Sequence, residues 1–375
     1  MIFLNACRPI RNLSGIPAAW SGPDNYKSKL PAIHTTKKNV FIIADSKLTE
    51  MFDMLAPFYL FNATEKANVF IIAKDKTPIL IKRYLFLVPQ LSFGEADSLQ
   101  LRADAIVIPA LSIRDEHQDP TVINWIKAHF TATTKLLTIC DGSSTGAATG
   151  LYDGKVITTH ASDFESIKKH FNKPIWIQNV SVAKSGNLYS TAGVSNAVEG
   201  SLTVINDLFG DETMLEVLNR VHYPIQDIKT SHKSIALRGS DKMTAAAKIF
   251  FRGNKDIGLL LQNGMNEYEM AAILDTYGRT LPASFKTFIE AGNTVQTKYG
   301  LKLICTGSQS YKGLDELHVL MPGSFSPDEE QRFKRVKIIK YDRNEYLFNK
   351  LLRQIAKQYG NRFAEFVSVS LDYNY

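Results

Sequence analysis

One cysteine in this chain has a setting suited to covalent chemistry. Cys140 stands in Lys135-Leu-Leu-Thr-Ile-Cys140-Asp-Gly142-Ser-Ser-Thr-Gly-Ala-Ala-Thr-Gly150. The residues up to the cysteine read as a short buried strand, and the small residues after Gly142 have helical character. A strand that breaks sharply into a helix holds its corner residue strained and exposed, the geometry of a nucleophile elbow. A thiol at the start of that helix is expected to lean toward the thiolate, its reactive form. The competing reading is a packed structural cysteine, since free Cys is among the most buried residue types.

The elements that must position Cys140 follow an α/β pattern. Val40–Ala44, Val69–Ala73 and Asp104–Pro109 are apolar, strand-like runs. Helices are expected over Thr49–Phe61, opened by a Thr cap, and over Thr121–Phe130. Continuous apolar runs alternating with helices indicate a mostly parallel sheet covered on both faces. Ligands bind beyond the carboxyl ends of such strands, and Cys140 lies at one of them. Further on come Lys155–His160, a helix near Asp163–His170, three short strands between residues 175 and 190, and a long helix from Val194 to Phe209.

The chain has 375 residues, 45% apolar and 22% charged, ordinary for a globular protein of about two domains. A net charge of +7 without a Lys/Arg run does not imply nucleic acid. Three scattered cysteines form no disulfide framework and point to a reducing compartment, with the cytoplasm as default. The eight histidines show no metal spacing, and no cofactor is implied. No run is apolar for the length of a membrane span. Leu4-Asn-Ala-Cys7 is lipobox-like but lacks the charged and apolar regions that should precede it, unless it is the tail of an anchor lying upstream.

Residues 1–38 read as an irregular arm, 39–224 as a complete domain and 225–256 as a linker with some structure of its own. Residues 257–375 read as a reduced repeat of the domain. Ile257–Leu261 repeats the first strand, Glu267–Tyr277 overlays Met51–Phe61, and Leu317–Pro322 overlays the strand ending at Pro109. The offset between copies falls from 213 residues at Pro109 and Pro322 to 150 at Gly210 and Gly360, so the second copy lacks 63 residues. That gap is where the first copy keeps Cys140 and His160. Cys305 lies in a strand-like run and reads as structural.

The strand–Cys–x–Gly elbow, Thr158-Thr-His160, and Thr191-Ala-Gly-Val-Ser195 leading into a helix with Glu199 together resemble the ThiJ/PfpI family. That family belongs to the class I glutamine amidotransferase-like superfamily. The early-helix acid in Thr49-Glu-Met-Phe-Asp-Met-Leu-Ala-Pro57 is most similar to the amidase-like domains of AraC-type regulators and to the isocyanide hydratases. The resemblance implies a flavodoxin-like three-layer sandwich, with Cys140 as nucleophile, Asp53 as the carboxyl group beside it and His160 nearby. It places an oxyanion-facing backbone N–H at Ala110 or Leu111, with Asp141 and Gly142 completing the pocket. By itself Asp53 is a first-turn acid that suits the helix dipole, and His160 a lone histidine at a strand edge.

Two departures from the family bear on activity. Many relatives place His directly after the nucleophile; here Asp141 does so, and a negative neighbour opposes the thiolate. The His-x-Glu pair of true glutamine amidotransferases is missing, so glutamine hydrolysis is not expected. Two functions remain open. One is a cysteine-dependent hydrolase or lyase acting on a small electrophile; the other is a catalytically silent ligand- or redox-sensing module. The partner expected is a small molecule. Direct nucleic-acid binding is disfavoured because a reduced α/β copy stands where AraC-type relatives carry helix-turn-helix units. An intramolecular pseudo-dimer or a homodimer is the assembly expected.

Overall fold

β-branched and aromatic runs bounded by polar turns make the strands of this protein. A computed structural model describes residues 20–22, 29–45, 49–82, 84–111, 118–290, 292–306, 313–324, 331, 333–341 and 344–373. Cys7 with its lipobox-like run, most of the arm before residue 38, and Asp342 lie outside the described residues. Among the described residues no helix is long and apolar enough to cross a membrane.

The chain divides into two units. The first comprises the described parts of Trp20–Ile79, Val88–Ala236 and Leu371–Tyr375. Its elements begin β1 (Lys38–Ile43), α1 (Met51–Ala63), β2 (Ala67–Ala73). A hairpin of β3 (Ile79–Ile81) and β4 (Leu85–Val88) leads to β5 (Leu91–Ser92), α2 (Phe93–Ser98) and β6 (Ala105–Ile108). Next are α3 (Pro120–His129), β7 (Lys135–Thr138), α4 (Gly142–Ala148), β8 (Val156–Ile157), α5 (Phe164–His170) and β9 (Ile175–Trp176). The unit ends with β10 (Val182–Ser185), β11 (Leu188–Thr191), a 3₁₀ turn at Val194–Asn196, α6 (Ala197–Phe209) and α7 (Asp211–Arg220).

Its seven-stranded sheet has the order β10-β11-β7-β6-β1-β2-β5. Every pairing is parallel except β10 with β11. The alternation within each strand assigns its two faces. Phe41, Ile43, Phe70, Ile72, Ile106 and Ile108 join Trp125 and Tyr152 in one core. Helices α1 and α6 pack together on the other face. The chain moves from β1 outward to β2 and later returns to β6 on the other side of β1. That reversal is a topological switch point, where an open α/β sheet leaves a crevice beyond its strand ends.

The second unit comprises Leu237–Ser370 with Leu80–Leu87. Within the stretch read as a linker lies α8 (Gly239–Phe251). β12 (Asp256–Leu261), α9 (Glu267–Gly278), β13 (Ser284–Ile289), β14 (Thr294–Gln296), β15 (Lys302–Cys305), β16 (Glu316–Val319) and β17 (Lys337–Lys340) follow. The last two helices are α10 (Leu347–Tyr359) and α11 (Asn361–Ser370). One sheet is parallel throughout, in the order β13-β12-β16-β17. Another has the order β14-β15-β4-β3, so the hairpin from early in the chain completes it. In return, Leu371 and Asp372 group with the first unit, where Ser195 donates through N–H and Oγ to their carbonyl oxygens.

Candidate functional site

The corner after β7 is pinned from several sides. Ile139 N–H donates to Ile108 O at 2.9 Å, and Cys140 then turns with φ +54°. Left-handed backbone at a non-glycine residue costs about 1–2 kcal/mol and persists only where its surroundings enforce it. Here they do. Cys140 N–H donates to Thr191 Oγ1 at 3.3 Å, while its carbonyl accepts from Ser143 Oγ at 3.0 Å and Thr159 Oγ1 at 3.1 Å. Gly142 lies against the end of β6. A Cβ on it would fall 2.2 Å from Ile108 O and 2.6 Å from Pro109 O, both immovable backbone atoms. Only glycine lets β7 and β6 run side by side into this turn.

Acids converge on the corner from α1. Glu50 caps that helix, its Oε2 accepting Asp53 N–H at 2.9 Å. The expected Thr cap is therefore corrected: Thr49 Oγ1 accepts from Asp45 N–H and donates to Asp45 O, closing the preceding loop instead. Fully buried Asp53 accepts Ala110 N–H on Oδ2 at 3.2 Å, and Glu50 N–H donates to Ala110 O at 2.9 Å. These bonds clamp the start of α1 to the segment after β6. They also commit the Ala110 N–H to a carboxylate. Leu111 follows, buried in the core.

The elbow thiol is neither exposed nor acidic, which corrects the expectation drawn from its helix. Cys140 is only 4% exposed. Burial raises its pKa well above that of a free thiol, and the negative charges of Asp141, Asp53 and Glu50 raise it further. The Asp141 backbone N–H, which hydrogen-bonds the sulfur, opposes this only in part. Helix α4 has seven residues and small dipolar leverage, so the enclosed acids prevail. The Asp141 amide follows the cysteine directly, the place an oxyanion-holding N–H takes after an elbow nucleophile.

Asp141 holds a proton of its own. Enclosure first, and the Asp163 carboxyl second, push its side chain up to about 8, against an opposing hydrogen bond from Thr159 Oγ1 at 3.0 Å. At neutral pH the residue after the nucleophile is thus largely a carboxylic acid, and the negative neighbour expected from the sequence is mostly neutralised. The linkage has a definite sign. The folded pKa stands above the unfolded value near about 4, so this group's stabilisation is complete below about pH 4 and is lost as pH rises toward 8. Asp141→Asn keeps the acceptor for Thr159 and places a donor beside Asp163. We expect it to flatten the fall in Tm between about pH 5 and pH 8, leaving the variant a few degrees more stable at the upper end, on the scale of about 2–4 °C per kcal/mol. Parallel thermal melts across that range are the check, and equal slopes would count against the protonated Asp141.

His160 is 6% exposed and turns Nδ1 toward its own loop, accepting Ser162 N–H at 3.2 Å. With Nδ1 an acceptor, the ring proton lies on Nε2, and the 3.9 Å separation from Asp163 Oδ2 is no hydrogen bond. In Thr158-Thr-His160 it is Thr159 that ties into the corner, bonding both Cys140 O and Asp141 Oδ1. Glu199 is buried and accepts from Tyr223 Oη at 2.7 Å and from Asn196 Nδ2 at 3.4 Å, which holds the start of α6 below Thr191. Sequence reasoning missed Glu50 and Asp163 as members of the site. The first had a signal: an acid three residues before Asp53 is spaced to cap the helix.

A family model described as the DJ-1/PfpI family matches residues 37–207. Isonitrile hydratase of Pseudomonas putida is 23% identical over 175 residues, spanning 46% of this chain and 74% of that protein. The Parkinson disease protein 7 homolog of Danio rerio is 25% identical over 146 residues, 38% of this chain and 75% of that one. Among solved structures, Drosophila melanogaster DJ-1beta aligns with a TM-score of 0.43 at 21% identity, covering 49% of this chain and 96% of its own.

Proposed function

Residues 37–207 are a DJ-1/PfpI family domain, and from that premise we propose that Cys140 is the nucleophile of an enzyme that hydrates small uncharged electrophiles. The observation that carries this reading is a protonation pattern: a neutral thiol at a strained corner, beside a carboxyl that keeps its proton to about pH 8. Anionic substrates are disfavoured beside Glu50, Asp53 and Asp163. A neutral electrophile that must gain a proton as sulfur attacks is suited to that setting. An isonitrile is such a molecule, and the relative from Pseudomonas putida makes it the substrate class to test first.

The chemistry balances with the groups at hand. The thiol sulfur bonds to the terminal isonitrile carbon while that carbon takes the proton of the Asp141 carboxyl, the thiol's own proton going to Asp53, leaving a thioimidate. Water adds to the thioimidate carbon and returns a proton to Asp141, and the nitrogen takes the proton held on Asp53. Collapse passes the new hydroxyl's proton to the departing sulfur, freeing Cys140 as the thiol and releasing an N-substituted formamide. The net change is addition of one water. The Asp141 amide steadies the sulfur and Thr159 orients the Asp141 carboxyl. The redox-sensing alternative loses support from the same geometry, because oxidation by peroxide favours an accessible thiolate.

The reading also takes 257–375 as a reduced, elbow-less copy of the domain at 39–224, joined by 225–256. Its support is that β13-β12-β16-β17 follows the chain path of β2-β1-β6-β7, parallel throughout. The test of function is acid quenching during turnover of a small alkyl isonitrile, followed by mass spectrometry of the Cys140 peptide. We expect an adduct of the isonitrile's mass on that peptide alone. An unmodified Cys140 peptide, with formamide accumulating in solution, would rule out the covalent route.

A further inference from the structure

The second unit holds a cavity of about 460 Å³ between α8 and the joint of α10 with α11, remote in sequence from the elbow. Its volume lies within the range of small-ligand sites. At its wall stands Lys248, 1% exposed, whose Nζ donates to two neutral oxygens, Asn254 Oδ1 at 3.1 Å and Leu281 O at 2.9 Å. The Tyr359 ring lies 5.2 Å from the ammonium. Neither oxygen carries a charge, so those bonds leave the buried cation uncompensated. Burial, with Lys255 nearby, accordingly pulls its pKa down to about 8.

Two further cations border the same space. Arg252 donates to Tyr359 O at the end of α10, and Arg362, in the first turn of α11, is exposed. As at any helix start, the N–H groups of Asn361 and Arg362 have no acceptor within their helix. Met243 and Phe363 supply an apolar wall. The surrounding segment is basic, with 20 Lys and Arg against 14 Asp and Glu between residues 237 and 370. Two cations from α8 and its end and one from α11, among them a buried ammonium with neutral partners, next to apolar lining, select a particular kind of ligand.

We propose that this cavity binds a small organic monoanion, a carboxylate on a short apolar or aromatic body, with its charge between Lys248, Arg362 and the start of α11. The carboxylate supplies a counter-charge that Lys248 has from none of the described residues, and the apolar body covers Met243 and Phe363. Such a site is independent of Cys140 chemistry.

The experiment is isothermal titration calorimetry of the full chain with octanoate and with 3-phenylpropionate, against their uncharged amides. We expect saturable binding of the acids and not of the amides. Affinity should fall about tenfold or more in Lys248→Met and in Arg362→Ala, the scale of one charge-assisted hydrogen bond. It should also fall as pH rises from about 7 to 9 and Lys248 loses its proton. Because Lys248 is buried its variant can misfold; Arg362 is exposed, and its variant keeps the test decisive. Absence of saturable binding by either acid, equal binding of the amides, or unchanged affinity in Arg362→Ala would overturn the proposal.

Discussion

Replacing Cys140 by Ser is expected to lower turnover of a small isonitrile by at least about 10³-fold, with Tm changing by no more than a few degrees. A hydroxyl has nearly the shape of the thiol and can occupy the same strained corner between Thr191 and Ser143. What it lacks is reactivity. Oxygen in that enclosed, acidic setting is a far poorer nucleophile than sulfur, and removal of a covalent nucleophile commonly costs that factor or more. Asp53→Asn distinguishes a proton carrier from a packing residue. Asn can still accept Ala110 N–H, so the clamp between α1 and the segment after β6 survives while the carboxylate is lost. Steady-state kinetics on the three proteins, with melts to show equal folding, measure the effect. Wild-type rates no faster than Cys140→Ser would remove the nucleophile from the account.

The second large effect is structural. Gly142→Ala places a methyl 2.2 Å from Ile108 O and 2.6 Å from Pro109 O. Because both are backbone atoms at the carboxyl end of a central strand, relief requires moving β6 away from the elbow. We expect a loss of about 3 kcal/mol, or a Tm decrease on the order of 10 °C, together with loss of the elbow's activity. Gly94→Ala is the matched control. That glycine sits in α2 with nothing within 4 Å of a new Cβ, and the change should be neutral or stabilising by about 0.5–1 kcal/mol. Similar melts for the two variants would show that the corner tolerates a side chain.

The sheet strands were the most legible elements. Val40–Ile43, Val69–Ala73, Ala105–Ile108 and Lys135–Thr138 announce themselves as apolar runs, and Gly142 followed by small residues marks the break after β7. The hairpin β3–β4 has no comparable signal, because its four-stranded sheet is completed by β14 and β15, some two hundred residues later, a pairing no local pattern encodes. Helix α8 lies inside residues 225–256, whose Ser, Lys and Thr content reads as a linker with some structure of its own and does not mark where that structure falls.

The chemistry of the site was less legible than its location. Cysteine has no turn preference that would signal φ +54°, and neither helical nor strand periodicity reveals which acids meet. Glu50 and Asp53 come from the start of α1 and Asp141 from the elbow, and only the fold brings their fields onto one sulfur, while Asp163 at the start of α5 acts on Asp141. The expectation of an activated thiolate followed from the helix start alone and reversed once enclosure was counted. Thr159 shows the complementary lesson. Its motif was recognised for the neighbouring histidine, whereas the hydroxyl one residue earlier holds the corner.

The central claim is that Cys140 reacts from the thiol form with a proton-bearing carboxyl beside it, and the pH dependence of kcat/KM for a small isonitrile tests it most directly. That profile reports the ionisations of the free enzyme. The account predicts a plateau through neutral pH and a decline as pH rises past about 8, where Asp141 gives up its proton. The opposite profile, rising through neutral pH to a plateau in alkali as a thiolate forms, would contradict it.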